Sequence, residues 1–300
     1  MSLSEIPAKH GFSVCPAGGE PFLLALPDSC EPNVRTIRGG TYPPSLQKLF
    51  TALASTTPAP ARVLDLGGYM GAFGLAAAAA GYEVAIVEAN PDNARWIRES
   101  ISLNRFPHPV KLVESAVGQS EGWVGFHAEG PYGHVQQDDQ GSGIRVRQTT
   151  LPLLMRELDW DTPAFIKMDV EGSECGVLRG ALHWFAQGYR PTFLYEANGH
   201  TLHWFGDSPA VLRSILETAG YHQYEVDPDG KTRTPTAFEP RVVVDYIASA
   251  RPLPALPRSP AWKVARRTLV ALRRNSQPAR RHVLRVLLGL LAPKRQSKPI

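Results

Sequence analysis

Between residues 62 and 200 the chain alternates two hydrophobic periods. Runs of nearly continuous apolar character at 62–66 (RVLDL), 82–88 (YEVAIVE), 110–117 (VKLVESAV), 164–169 (AFIKMD) and 191–196 (PTFLYE) read as strands buried on both faces. Between them lie helical segments. FGLAAAAAG is rich in alanine, and Gly81 is placed to end its helix. PDNARWIRESISLN enters through a proline and carries Trp96, Ile97, Ile101 and Leu103 at helical spacing. Such alternation predicts an α/β, doubly wound, mostly parallel sheet with helices on its faces. WVGFHAE and GIRVRQTT predict extra strands around a polar loop at 129–143. Residues 209–219 predict a helix, and YHQYEV and VVVDYIAS, joined through DPDG, an antiparallel pair closing the sheet. Residues 1–61 are poorly periodic and form an N-terminal extension with one expected helix at 44–55.

Composition changes this picture at one end. The chain has 300 residues and a net charge of +4, yet residues 251–300 hold 13 Lys/Arg and no Asp or Glu. The remaining 19 basic residues face all 28 acidic ones, which leaves 1–250 at −9. RPLPALPRSP marks the boundary, because prolines at that spacing break helix and inner strand alike. The expected organisation is therefore an extension (1–61), a domain (62–250) and a basic tail (251–300). Cys15, Cys30 and Cys175 are odd in number and lack CxxC spacing, which points to neither a disulfide framework nor a zinc knuckle, and to a cytoplasmic setting. MSLSEIPAKHGF lacks the tracts of a signal peptide.

Candidate chemistry begins at VLDLGGYMG. Glycine two positions after Gly67 would complete a dinucleotide fingerprint, but Tyr69 stands there. A carboxylate at Asp65 would also repel a pyrophosphate, whereas it attracts the sulfonium and ammonium of S-adenosylmethionine, directly or through water. Glu88 ends the second strand, 21 residues after Gly67, where a carboxylate accepts both ribose hydroxyls. The expected cofactor set is Asp65, Gly67, Gly68, Tyr69, Gly71, Glu88, Ala89, Asn90, Ser115 and Ala116.

FIKMDVEGSECGVLRGA, residues 165–181, resembles the IKxDVEGxExxVLxGA stretch of the FkbM-type methyltransferases. VLDLGGYMG, EANPDN, the LNRF…VKLVESAVGQSEG run and TTLPLLMREL support the resemblance, which covers about residues 60–200. It implies a class I methyltransferase (Rossmann-like) sheet with an antiparallel last strand, and O-methylation of a small molecule or sugar. GGYMG and Glu114 depart from the family's usual GANIG and asparagine. From the residues themselves, Asp169 and Glu171 emerge where the fourth strand ends, and FLYEANGH brings Glu196, Asn198 and His200 to the same edge. His200, Glu171, Glu196 and Asp169 are the candidate bases for a hydroxyl proton. Asp169, Glu196 and His200 also form a candidate Mg²⁺ set.

No [DNS]PP[FYW] motif follows the fourth strand, which argues against a nucleobase acceptor. The alternatives are a nucleic-acid methyltransferase using the basic tail and a non-catalytic cofactor-binding protein. In the tail, Val264, Leu269, Val270, Leu272 and the VLRVLLGLLA run intersperse leucines with arginines. That composition suits a helix on an anionic membrane surface, here the inner one, and the run is too short to span a bilayer. Packing on the acidic domain and nucleic-acid contact are the competing roles.

Overall fold

The computed structural model of the protein describes residues 22–29, 31–38, 57, 59–128, 133–136, 143–226, 232–235 and 243–253. The expected helix at 44–55, most of the polar loop, the DPDG turn and the basic tail from residue 254 onward lie outside these residues.

Five parallel strands form the centre: β1 (Arg62–Leu66), β2 (Glu83–Glu88), β3 (Val110–Glu114), β8 (Phe165–Met168) and β9 (Thr192–Asn198). They sit in the order β3-β2-β1-β8-β9. Beyond β9 come β12 (Val243–Ser249), antiparallel to both its neighbours, then β10 (His222–Val226) and the short β11 (Thr232–Arg233). The expected antiparallel pair is thus present, with the last strand inserted between β9 and β10. The order and the antiparallel last strand are those that the sequence resemblance implies.

Alternation along each central strand explains the double burial. Leu64, Leu66, Ala85, Val87, Ile166 and Met168 enter one core, under helices α4 (Leu151–Leu158), α5 (Glu174–Gly180) and α8 (Pro209–Thr218). Val63, Val84, Ile86 and Phe165 enter the other, under α2 (Ala72–Ala79) and α3 (Pro91–Leu103). Asp65 and Lys167 occupy positions of that second set and are paired in register. The segment read as an extension joins this second core: Phe22, Leu24 and Leu26, with Val34 and Ile37 of α1 (Pro32–Arg38), are buried against it. Backbone amides of Leu23 and Ala25 donate to Asn104 Oδ1 (2.8 Å) and Ser100 Oγ (2.9 Å) at the end of α3.

One expected strand divides. β3 stops at Glu114, the chain bends at Ser115, and β4 (Ala116–Val117) pairs with β7 (Ile144–Thr149) in a second sheet. That sheet runs β4-β7-β5-β6, with β5 at Gly122–His127 and β6 at His134–Val135. A small apolar cluster of Ala116, Phe126 and Val146, flanked by Ala89, Val124 and Val135, lies beside the carboxyl end of β2.

Candidate active site

A cavity of about 420 Å³ opens at the carboxyl ends of β1, β2 and β8. The strand order reverses between β1 and β8, so the turns leaving them diverge and leave a crevice. The two turns nonetheless touch at one point. A Cβ on Gly67 would lie 1.8 Å from the carbonyl oxygen of Asp169, and Gly67 has φ 77°. Only glycine fits there.

Glu88 lines the cavity at the end of β2. Its Oε2 accepts the amide of Tyr69 at 2.7 Å, and its Oε1 accepts the amide of Asn90 at 2.8 Å. Oε1 also accepts a longer hydrogen bond from Asn93 Nδ2 at 3.4 Å, so the lone pair left for a ligand is on Oε2, and Oε1 can take a second donor only in exchange for Asn93. Burial raises its pKa to about 7, against the lowering effect of these hydrogen bonds. Ser115, 2% exposed, carries a buried hydroxyl with no hydrogen-bond partner and lines the cavity. Ala89, Ala116, Phe126 and Val135 provide an apolar wall next to it. A buried carboxylate, an orphan hydroxyl and an apolar wall supply the kinds of group that the ribose and base of S-adenosylmethionine would need.

The opposite wall is acidic. Asp169, Glu171 and Glu196 all line the cavity, with Asn198 beside them. Burial, reinforced by Asp169 and Glu174, raises the pKa of Glu171 to about 8. Burial together with Asp169, Asp245, Glu171 and Glu174 raises that of Glu196 to about 9. Asp169 lies 3.3 Å from the ammonium of Lys167. Tyr69 and Glu171, both lining the cavity, are non-glycine residues held at φ 50°. Backbone strain of this kind, about 1–3 kcal/mol at each residue, is maintained where neighbouring packing enforces it.

Of the expected residues, the cavity gathers Gly67, Gly68, Tyr69, Glu88, Ala89, Ser115, Ala116, Asp169, Glu171 and Glu196. Asp65 is not in its wall. It is 1% exposed, its Oδ2 accepts the amide of Gly74 at 2.9 Å, and its Oδ1 lies 3.5 Å from Lys167 Nζ. It braces the first turn of α2 from behind, where direct contact with a ligand is precluded. Gly71 and Asn90 also stand back, as the residues preceding α2 and α3; Asn90 Oδ1 caps α3 through the amide of Asp92.

His200 is displaced for a local reason. β9 continues through Asn198, whose side chain accepts the amide of His200 and starts α7 (Gly199–Trp204). The helix leaves His200 exposed and outside the cavity wall. The Asp169, Glu196 and His200 set therefore does not assemble, and among the described residues no group of three His, Cys, Asp or Glu side chains is arranged to hold a metal ion. Glu114 faces outward in an ion pair with Arg98, so its departure from the family pattern does not alter the cavity wall.

The sequence reading missed Lys167, Asn93 and Phe73, and also Asn33 and Ile37 from α1, all of which line the cavity. The hydroxyl of Tyr69 donates to Glu31 Oε2 at 2.9 Å, and the same carboxylate accepts the amides of Asn33 and Val34 at the start of α1. The α1 segment is thereby fastened to the glycine turn.

Residues 65–222 match the methyltransferase FkbM domain. The chain belongs to the FkbM methyltransferase family. No curated protein matches this methyltransferase. Solved structures similar to it include a SAM-dependent methyltransferase from Agrobacterium tumefaciens, at 16% identity and a TM-score of 0.42, covering 84% of this chain and 73% of that one. Another is an O-methyltransferase from Bacillus cereus in complex with SAH, at 13% and 0.39, covering 67% and 79%. A third is the precorrin-6y C5,15-methyltransferase of Geobacter metallireducens, at 12% and 0.37, covering 67% and 86%.

Proposed function

We propose that this methyltransferase uses S-adenosylmethionine to methylate a hydroxyl group of a small molecule or sugar. The observation that carries the reading is one cavity with a nucleoside-compatible wall around Glu88 and Ser115 and a wall of carboxylates at Asp169, Glu171 and Glu196. When bound, the cofactor supplies an electrophilic methyl on a cationic sulfur. Glu88 accepts the ribose hydroxyls, Ser115 meets the base, and Gly67 and Gly68 let the backbone approach. On the other side, Asp169 orients the acceptor hydroxyl and Glu171 takes its proton; that oxygen takes the methyl, and the methyl–sulfur bond pair stays on sulfur as a neutral thioether. Alignment of the acceptor oxygen at about 3–3.5 Å supplies much of the acceleration.

Because Glu171 has a pKa raised to about 8, its basic form is the minority species at neutral pH. Transfer of labelled methyl to a panel of sugars, phenols and amines is expected to favour hydroxyl acceptors, with a rate that rises with pH and levels above about 8. Exclusive methylation of amines, or a rate that falls over this range, contradicts the reading.

The basic tail of residues 251–300, with its interleaved leucines, supports peripheral contact with an anionic membrane surface. Among the described residues no helix is long and apolar enough to cross a membrane. In flotation assays the full chain is expected to rise with anionic vesicles, and a truncation ending near residue 250 to stay behind. Equal behaviour of the two would assign the tail to packing on the protein itself or to another partner.

A further inference from the structure

Lys167 is a cation inside the sheet, 5% exposed, at a position otherwise reserved for the apolar core beneath α2. Its ammonium donates to the carbonyl oxygen of Gly67 at 2.9 Å. It also lies 3.5 Å from Asp65 Oδ1, 3.3 Å from Asp169 Oδ2 and 4.9 Å from the ring centroid of Phe73. Burial opposes its charge, while Asp169, Asp65 and Glu196 hold its pKa above the ordinary lysine value. A buried charge persists only where such partners compensate its desolvation. Those partners belong to different parts of the site: Gly67 to the cofactor turn, Asp65 to the brace behind α2, Asp169 to the acceptor turn.

We propose that Lys167 is a positioning residue for methyl transfer, whose ammonium ties the Gly67 carbonyl to the Asp169 carboxylate and so sets the spacing between bound cofactor and acceptor. The inference rests on the methyltransferase reading of this cavity. Two features make the tie specific. First, the turns already touch where Gly67 meets the Asp169 carbonyl, so a small displacement of one moves the other. Second, Lys167 lines both this cavity and a smaller one of about 100 Å³ beside it, shared with Phe73, Asp169, Glu196 and Asp245, so no other cation stands between the acceptor wall and the glycine turn among the residues lining either cavity.

The tie also acts electrostatically on the cofactor side. Glu88 on β2 and Glu171 after β8 are each held lower than burial alone would leave them by the charge of Lys167. The other charged groups facing the ammonium are Asp65 on β1, Asp169 after β8 and Glu196 on β9. Without the cation, Glu88 would protonate at higher pH and lose capacity to accept the ribose hydroxyls.

The test is calorimetric titration of the full-length protein with S-adenosylhomocysteine from pH 6 to 9, for wild type, Lys167→Met and Lys167→Arg, with thermal melts alongside. In Lys167→Met the affinity is expected to fall at least tenfold, and the pH midpoint of binding, near 7 in wild type, to move upward. A lysine serving only the fold would lower the melting temperature and leave that midpoint in place. Lys167→Arg keeps the charge but not the reach, so it is expected to fold, keep the midpoint and still bind more weakly. Should Lys167→Met not fold, the arginine variant decides: wild-type affinity there overturns the inference. Wild-type affinity and midpoint in a folded Lys167→Met overturn it equally. Absence of binding by the wild type would instead refute the underlying cofactor reading.

Discussion

Asp169→Asn is expected to reduce methyl transfer by roughly 10²–10⁴-fold, the range associated with losing a positioned acid or base group. The substitution keeps the volume and removes the charge. Asp169 stands at the end of β8, lines the cavity and pairs with Lys167 at 3.3 Å while its side chain keeps 34% exposure. That exposure limits the structural cost. Lys167 retains Asp65 and the Gly67 carbonyl as partners, so its burial remains partly compensated. A drop in melting temperature of only a few degrees is expected, corresponding to about 1 kcal/mol. A steady-state assay with labelled cofactor, run beside a thermal melt, checks both quantities. Wild-type turnover would remove Asp169 from the reaction. Loss of activity accompanied by collapse of the fold would assign it a structural role.

Glu88→Ala has its largest expected effect on binding. Two hydrogen bonds from ribose hydroxyls to a carboxylate are lost, each contributing about 1.5–3 kcal/mol as a charge-assisted bond. Allowing for water that refills the space, about a 100-fold loss of affinity is expected. The variant also frees the amides of Tyr69 and Asn90, which Glu88 holds at 2.7 and 2.8 Å. Tyr69 is kept at φ 50° partly by that bond, so relaxation of the glycine turn adds to the loss. Against this, removing a carboxylate whose pKa is raised to about 7 relieves a buried charge above neutral pH. The two effects oppose each other in stability, so the melting temperature is expected to change little while affinity falls.

Much of this site was readable before any coordinates. Glycine spacing after a short apolar strand, an acid at the end of the next strand and DVEG after a third locate the crevice, because in a parallel sheet ligands lie beyond the strand ends. What the linear pattern lacked was register. Asp65 and Lys167 sit in separate strands, and only the β1–β8 pairing turns them into one buried ion pair facing α2. Asp65 accordingly braces Gly74 and pairs with Lys167, and stands outside the cavity lining. His200 failed for a different reason. Proximity to a strand end carries a side chain to the site only if the strand ends there, and β9 runs on to Asn198 before α7 turns away. The sequence names Ser115, but not the bend that separates it from β3 and sets it beside the cavity, because that bend falls inside one apolar run. Asn33 and Ile37 came from a segment without periodicity, fastened through Glu31 and Tyr69, contacts that no local pattern announces.

The central claim is that the cavity between the β1, β2 and β8 turns holds the cofactor through Glu88. Its most direct test is calorimetric titration of wild type and Glu88→Ala with S-adenosylhomocysteine at pH 8, both proteins having been checked for an intact fold. The account predicts one site per chain in the wild type and about a 100-fold weaker site in the variant. No binding by the wild type, or the same affinity in both proteins, would contradict it.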